Sequence, residues 1–151
     1  MNTYSGSELR QEAEKLVQDF FNRVWHPPHE LDAIDELMSE DYVITTAGSV
    51  VKGRDVFKGW VQRFQNLLLE AKTESEDIIY DEIRSKVVSR WVCSGKNNGI
   101  LGLEPDGRFV SFTGIAIWSI RDGRLAECWL ERSAYELYQQ LISESGDKKF
   151  V

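Results

Sequence analysis

Residues 108–132, RFVSFTGIAIWSIRDGRLAECWLER, contain the clearest hairpin signal in the chain. Two β-prone runs rich in apolar residues flank Asp122-Gly123, and this dipeptide between two such runs is a strong signal for a β-hairpin. The stretch therefore predicts two antiparallel strands, at 108–121 and 125–132. Gly114 lies in the middle of the longer strand and predicts a bulge or a bend there.

On either side of this hairpin, the spacing of the apolar residues predicts further strands and four helices. Short β-prone runs predict strands at 42–46, 50–51, 78–83 and 87–94. Apolar residues that recur every three or four positions predict helices at 5–25, 30–39, 53–69 and 134–143. Ser5 with Glu8, and Ser133 with Glu136, have the spacing of a capping box at the start of the first and last helices.

This order of elements predicts one α+β domain over residues 1–151. The length of 151 residues matches a single domain of ordinary size. Helices followed by a run of antiparallel strands predict a curved antiparallel sheet wrapped over the helices, and such a sheet leaves a cone-shaped central pocket. Residues 1–6 and 144–151 are expected to be flexible tails.

The composition argues against nucleic acid and membrane partners. The chain has 18 Lys and Arg against 25 Asp and Glu, a net charge of −7, whereas binding to phosphates needs a basic face. No apolar run approaches the roughly 20 residues that cross a bilayer. The polar start of the chain lacks the apolar segment of a secretory leader, so we expect no signal peptide.

The cysteines and histidines predict neither a disulfide nor a metal site. Cys93 and Cys128 lie in predicted strands and are expected to be buried free thiols in a reducing cytoplasm. His26 and His29 flank Pro27-Pro28, which breaks the helical geometry that would place both rings on one face. We therefore expect no bound metal and no cofactor.

Several short matches, in order along the chain, carry a resemblance to a known family. They are Trp25, Glu40-Asp41-Tyr42-Val43, Gly53, Arg90-Trp91, Pro105-Asp106-Gly107-Arg108, Gly114, Asp122-Gly123-Arg124-Leu125, Trp129 and Gln140-Leu141. Over residues 10–142 the chain resembles the nuclear transport factor 2-like superfamily, and within it the SnoaL-like polyketide cyclase and ester cyclase group. The resemblance implies a cone with a central pocket, in which relatives act as cofactor-free cyclases or isomerases or bind without catalysis.

Two positions depart from the pattern of that group. Its cyclases have an acid/base aspartate four residues after the tryptophan of the last strand, and here that position is Ser133. The loop after the Arg-Trp strand often reads Gly-Thr-His in the group, and here it reads Gly95-Lys96-Asn97. Both differences remove a titratable group, although Ser133 is expected to keep the helix cap.

The alternation along the last strand supplies the candidate catalytic residues. Glu127, Trp129, Glu131 and Ser133 share one face, so all four face the pocket if the family aspartate does. Glu127 and Glu131 are then the candidate acid/base carboxylates. The alternative reading, favoured for Glu127, pairs it with Arg90 in a salt bridge on the concave side of the sheet and leaves Glu131 in solvent at the rim.

The remaining candidates would bind a ligand. Arg90 could orient a carbonyl-bearing molecule with its fork of donors. The expected wall residues are Tyr42, Thr46, Trp60, Phe64, Trp118, Trp129 and Ser133.

Two functions from different classes remain open, together with one partner. The first is a cofactor-free cyclase or isomerase that acts by proton transfer on a small apolar carbonyl compound. The second is a non-catalytic ligand-binding or dimeric assembly module that has lost the acid/base aspartate. Both faces of strand 109–120 carry apolar residues, so we also expect a homodimer through the outer face of the sheet.

Overall fold

The helices begin and end close to the positions that the apolar spacing predicts. The computed structural model describes residues 6–143, so most of the predicted tails at 1–6 and 144–151, and Ser5 of the predicted capping box, lie outside the described residues. Gly6, which was expected to belong to the tail, is already helical. The helices are α1 (Gly6–Asp19, continued by a π-helical turn over Phe20–Val24), α2 (Ala33–Leu37), α3 (Arg54–Leu67) and α4 (Ala134–Ile142).

The strands form one curved, unclosed sheet of six strands within the described residues. They are β1 (Met38–Thr46), β2 (Ser49–Lys52), β3 (Leu68–Asp81), β4 (Lys86–Asn97), β5 (Phe109–Arg121) and β6 (Arg124–Arg132). Their order is β2-β1-β6-β5-β4-β3, which confirms the predicted α+β fold. The sheet is mixed, however, and not purely antiparallel, because β1 and β6 pair in parallel.

The hairpin of β5 and β6 has the predicted two-residue turn. Arg121 pairs with Arg124, and both residues between them have positive φ, 54° for Asp122 and 73° for Gly123. Two consecutive residues with positive φ are typical of a type I′ turn, which matches the twist of the flanking strands. Local turn chemistry therefore fixes the register of the first two pairs, and an irregularity between Ser119 and Ile120 shifts the register of the rest by one residue.

Strand β3 is much longer than the predicted 78–83. It begins at Leu68, directly after α3, and pairs with β4 as far as Asp81 and Lys86. Its first ten residues, LLEAKTESED, include four acidic side chains, and acidic residues are poor strand formers in isolation. Pairing with β4 at the edge of the sheet outweighs that preference, and charged side chains suit an edge strand.

The helices cover one face of the sheet, so each strand has a buried and an outer side. On β5 the buried side carries Phe112, Gly114, Ala116 and Trp118, which alternate with more exposed residues. The pairing of β5 with both neighbours is continuous at Gly114, so the predicted bulge there is wrong. The glycine instead provides room for Trp91, whose ring would overlap a β-carbon at this position.

Within residues 6–143, no helix is long and apolar enough to cross a membrane.

Candidate functional site

A cavity of about 60 Å³ lies between the buried face of the sheet and helices α1 and α3. This volume holds several water-sized groups, and a larger guest must displace side chains of the wall. Ten of the lining residues are aromatic, and most of the others are aliphatic or small. The lining consists of Phe20, Phe21, Trp25, Tyr42, Ile44, Phe57, Trp60, Phe64, Thr73, Trp91, Cys93, Phe112, Ala116, Trp118, Cys128, Leu130 and Arg132.

The helices supply a continuous aromatic wall. The π-helical turn after α1 widens the helix, and two successive residues in it, Phe20 and Phe21, both line the cavity. On α3, Phe57, Trp60 and Phe64 follow one another at helical spacing. Their rings stack in sequence, with centroid separations of 5.9 Å and 6.0 Å. This wall offers flat apolar surface to a ligand.

The cavity meets solvent beside three residues. Trp60, Phe64 and Arg132 keep partial exposure, whereas the rest of the lining is buried. The guanidinium carbon of Arg132 lies 5.6 Å from the Trp60 ring centroid and 5.5 Å from that of Phe64, which are cation–π distances. Burial lowers the pKa of Arg132, but arginine stays charged in proteins. We call this group of three residues the mouth of the cavity.

Deeper in the cavity, the polar groups are neutral. The Tyr42 hydroxyl accepts a hydrogen bond from the indole Nε1 of Trp118 at 3.2 Å. Burial raises the pKa of Tyr42 well above its usual range, raises that of Cys128 to about 12, and raises that of Cys93 to about 11. Both cysteines are free and buried, as predicted. At neutral pH, therefore, none of these three groups carries a charge.

Of the predicted wall residues, Tyr42, Trp60, Phe64 and Trp118 line the cavity. Thr46 is buried, but it lies outside the lining. Trp129 lies on the outer face of the sheet, where Lys86 Nζ sits 4.7 Å from its ring centroid. Aromatic residues on the helices and on the buried faces of the strands therefore predicted the cavity lining better than the assumed orientation of β6 did.

The predicted orientation of β6 is wrong. Cys128, Leu130 and Arg132 face the cavity, whereas Glu127 and Glu131 lie on the outer face. The prediction extended the alternation of the strand back from Ser133. The strand ends at Arg132, and Ser133 has φ −78° and ψ 54°, so the alternation does not pass through it.

The predicted salt bridge between Glu127 and Arg90 is also absent from the described residues. The strand register places Arg90 opposite Ile115, which in turn pairs with Glu131. Glu127 lies further along the sheet, opposite Ser119. Arg90 is exposed on the outer face, so neither residue of the expected pair reaches the cavity.

Ser133 holds strand ends together and does not cap α4 through its side chain. Its hydroxyl accepts hydrogen bonds from the backbone N–H of Thr113 at 2.9 Å and from the Thr113 hydroxyl at 3.3 Å. It occupies the N-cap position, but no side-chain cap bond forms, so the predicted capping role is wrong. The residue lies outside the cavity lining.

Arg132 is the site residue that sequence reasoning missed. The signal was present in β6, because Ala126, Cys128 and Leu130 alternate along the side that Arg132 shares, whereas the other side carries Glu127 and Glu131. If the more apolar side of β6 is assigned to the covered face of the sheet, Arg132 is predicted to point towards the cavity.

Among residues 6–143, no three His, Cys, Asp or Glu side chains come together as a metal site requires.

Comparison with known proteins assigns the chain to a family. The family model described as "SnoaL-like polyketide cyclase" matches residues 15–141, most of the chain. The chain belongs to the SnoaL-like polyketide cyclase family. A search of curated proteins gave no match.

Several solved structures share the fold. A SnoaL-like protein from Jannaschia sp. CCS1 superposes with a TM-score of 0.80 at 16% identity, covering 95% of this chain and 99% of that one. TsrD from Streptomyces laurentii gives 0.77 at 24% identity, with 88% and 96% covered. An LEH-like epoxide hydrolase from M. tuberculosis gives 0.69 at 18% identity, with 88% and 86% covered. At these identities the likeness shows the fold and not a shared reaction.

Proposed function

We propose that this protein binds a small apolar molecule of the carbonyl type in the aromatic cavity, without acting as a proton-transfer catalyst. The observation that carries the proposal is the chemistry of the lining. Rings from α1, α3 and the sheet face an unfilled space, and Arg132 is the charged group among them. Concave aromatic walls with few polar groups are typical of sites for small apolar ligands.

The same lining supports binding over acid–base catalysis. A general base works best when its pKa lies near the working pH. Among the described lining residues there is no Asp, Glu or His, and the pKa values of Cys93 and Cys128 are raised to about 11 and about 12. The module without the acid/base aspartate therefore suits this cavity better than the cyclase or isomerase does.

The tryptophans provide a direct test of binding. Trp25, Trp60, Trp91 and Trp118 line the cavity, and Trp129, the fifth, lies on the outer face as an internal control. We expect acetophenone, a neutral aromatic ketone, to shift the indole N–H signals of the four lining tryptophans in a ¹H–¹⁵N NMR titration. The Trp129 signal should stay in place.

A matched pair of variants on β5 controls for non-specific binding. Ala116→Leu adds volume inside the cavity and should abolish the shifts, whereas Ser111→Leu adds the same side chain on the outer face and should preserve them. Equal shifts in both variants, or a shift confined to Trp129, would contradict the proposal.

We also propose that two copies pair through the outer face of the sheet. The strand register lines up Ile79, Val88, Ile117 and Trp129 as one apolar row across four strands. Ile79 and Ile117 are 60% and 36% exposed, and Ile115 in the next row is 50% exposed. Exposed apolar surface of this extent marks an interaction face.

The charges beside this row favour a second copy of the chain as the partner. Lys86 and Arg90 lie on β4, whereas Glu127 and Glu131 lie on β6, on either side of β5. A two-fold axis along β5 places the cations of each copy opposite the anions of the other. Such self-complementarity is what a two-fold interface requires.

Sedimentation at micromolar concentration tests the dimer. We expect the protein to sediment as two chains, and Ile117→Glu to convert it to one chain because a buried unpaired charge at the interface is costly. Val56→Glu changes an exposed residue of α3, away from the sheet, and should remain dimeric. A monomeric wild-type protein removes this proposal and leaves the cavity proposal untouched.

A further inference from the structure

We infer that the molecule held in the cavity carries a carboxylate, and that Arg132 binds this carboxylate at the mouth. The inference rests on the proposed ligand-binding function and adds a charge and an orientation to the ligand. The apolar body would lie against the aromatic wall, with the acid group beside Trp60 and Phe64, where the cavity meets solvent.

The first step is the position of the guanidinium. Arg132 is the last residue of β6, and its side chain reaches over two rings of α3 at the mouth. Cation–π contacts stabilise the charge, but they use none of its five N–H donors. The donors are therefore available to a group that enters the cavity.

The second step is that Arg132 lacks a protein partner among residues 6–143. No hydrogen bond or ion pair of the described residues involves its guanidinium. Other partly buried arginines are paired: Arg23 with Glu30 and Glu36, and Arg54 with Asp35. Its nearest acidic neighbour in sequence, Glu131, points to the outer face.

The third step is that nothing titratable in the cavity cancels the charge. Cys93 is close enough to interact electrostatically with Arg132, but burial raises the pKa of this thiol to about 11. Tyr42 and Cys128 are neutral for the same reason. In a chain with a net charge of −7, the mouth therefore carries a positive charge that no acidic residue of the cavity lining offsets.

A carboxylate fits this arrangement better than a neutral carbonyl does. Two carboxylate oxygens can accept parallel hydrogen bonds from the fork of a guanidinium, and charge-assisted bonds of this kind are roughly twice as strong as neutral ones. A ketone offers one neutral oxygen. The competing possibility is that Arg132 serves only to cover the rings of Trp60 and Phe64.

Benzoate and acetophenone distinguish these possibilities, because they have nearly the same shape and differ in charge. Both are titrated into the wild-type protein at pH 7, with the indole signals of the lining tryptophans as the readout. We expect the dissociation constant of benzoate to be at least tenfold lower than that of acetophenone. In Arg132→Met, benzoate affinity should fall at least tenfold, while acetophenone affinity should change by less than twofold.

Two further variants complete the experiment. Arg132→Lys keeps a charge without the fork and should retain part of the preference for benzoate. Arg124→Met removes an exposed arginine at the other end of β6 and should leave both affinities unchanged. Arg132→Met could weaken the binding of both ligands alike. In that case, an Arg132→Lys variant that still prefers benzoate over acetophenone supports the inference, and one that has lost this preference overturns it.

The outcomes separate the inference from the function on which it rests. Acetophenone that binds as tightly as benzoate to the wild-type protein, or benzoate affinity that survives in Arg132→Met, overturns the role of Arg132 and leaves the proposed function standing. If neither compound moves a lining tryptophan, the proposed function itself fails.

Discussion

Replacing Gly114 by alanine is expected to destabilise the fold by about 3 kcal/mol. A β-carbon at this position would lie 2.6 Å from Cη2 of Trp91 and would overlap neighbouring atoms of the same ring. The ring is rigid and also contacts Phe112, with centroids 5.9 Å apart, so it cannot move without disturbing the cavity wall. Chemical denaturation of the variant and the wild-type protein measures the loss.

The same substitution elsewhere provides the control. At Gly59, in α3, an added β-carbon would meet only the flexible end of Arg63 at 3.4 Å, so Gly59→Ala should stabilise the protein by up to about 1 kcal/mol through helix propensity. Trp91→Phe removes the overlapping atoms and should rescue much of the stability of Gly114→Ala. Additive effects of Gly114→Ala and Trp91→Phe would show that the ring is not the cause.

Asn97→Ala is the second change expected to have a large effect, again about 3 kcal/mol. The Asn97 side chain is buried and forms four hydrogen bonds. Its oxygen accepts from the N–H groups of Gly99 and Ile100, both at 3.0 Å. Its nitrogen donates to the Glu104 carbonyl at 2.8 Å and to the Asp106 carboxylate at 2.9 Å. Alanine leaves buried backbone groups of this loop without partners.

Its neighbour Asn98 is a suitable control, because its exposed side chain makes a single hydrogen bond to the Asn66 carbonyl at 2.9 Å. Asn98→Ala should lower the free energy of unfolding by no more than roughly 1 kcal/mol, which is the usual net contribution of one such hydrogen bond. Denaturation midpoints compare the two variants directly. Similar losses in Asn97→Ala and Asn98→Ala would contradict the structural role given to Asn97.

The hydrogen bonds of Asn97 change the interpretation of one of the two departures from the family pattern. Asn97 stands where a titratable residue is frequent in the family pattern, and it was expected to mark lost chemistry. In the structure it lies outside the cavity lining and organises the loop that leads to β5. A residue type alone could not reveal this, since burial and the four partners come from the folded loop.

Elements determined by local chemistry were the ones that the sequence predicted well. The Asp122-Gly123 turn, the apolar stripe of α1 and the extent of β6 depend on neighbouring residues and appear as predicted. The start of β3 depends on pairing with β4, and the acidic residues of β3 obscured it. The direction of Arg132 follows from the alternation within β6, and an orientation taken from Ser133, beyond the end of the strand, reversed it.

The central claim, that the cavity is a binding site for a small apolar acid, is tested most directly by a crystal structure of the protein grown with benzoate. We predict density for the ring against Trp60, Phe64 and Phe112, with the carboxylate within hydrogen-bond distance of the Arg132 guanidinium. A cavity that is closed by its own side chains and holds no benzoate would contradict the claim. Benzoate bound only on the outer face of the sheet would contradict it as well.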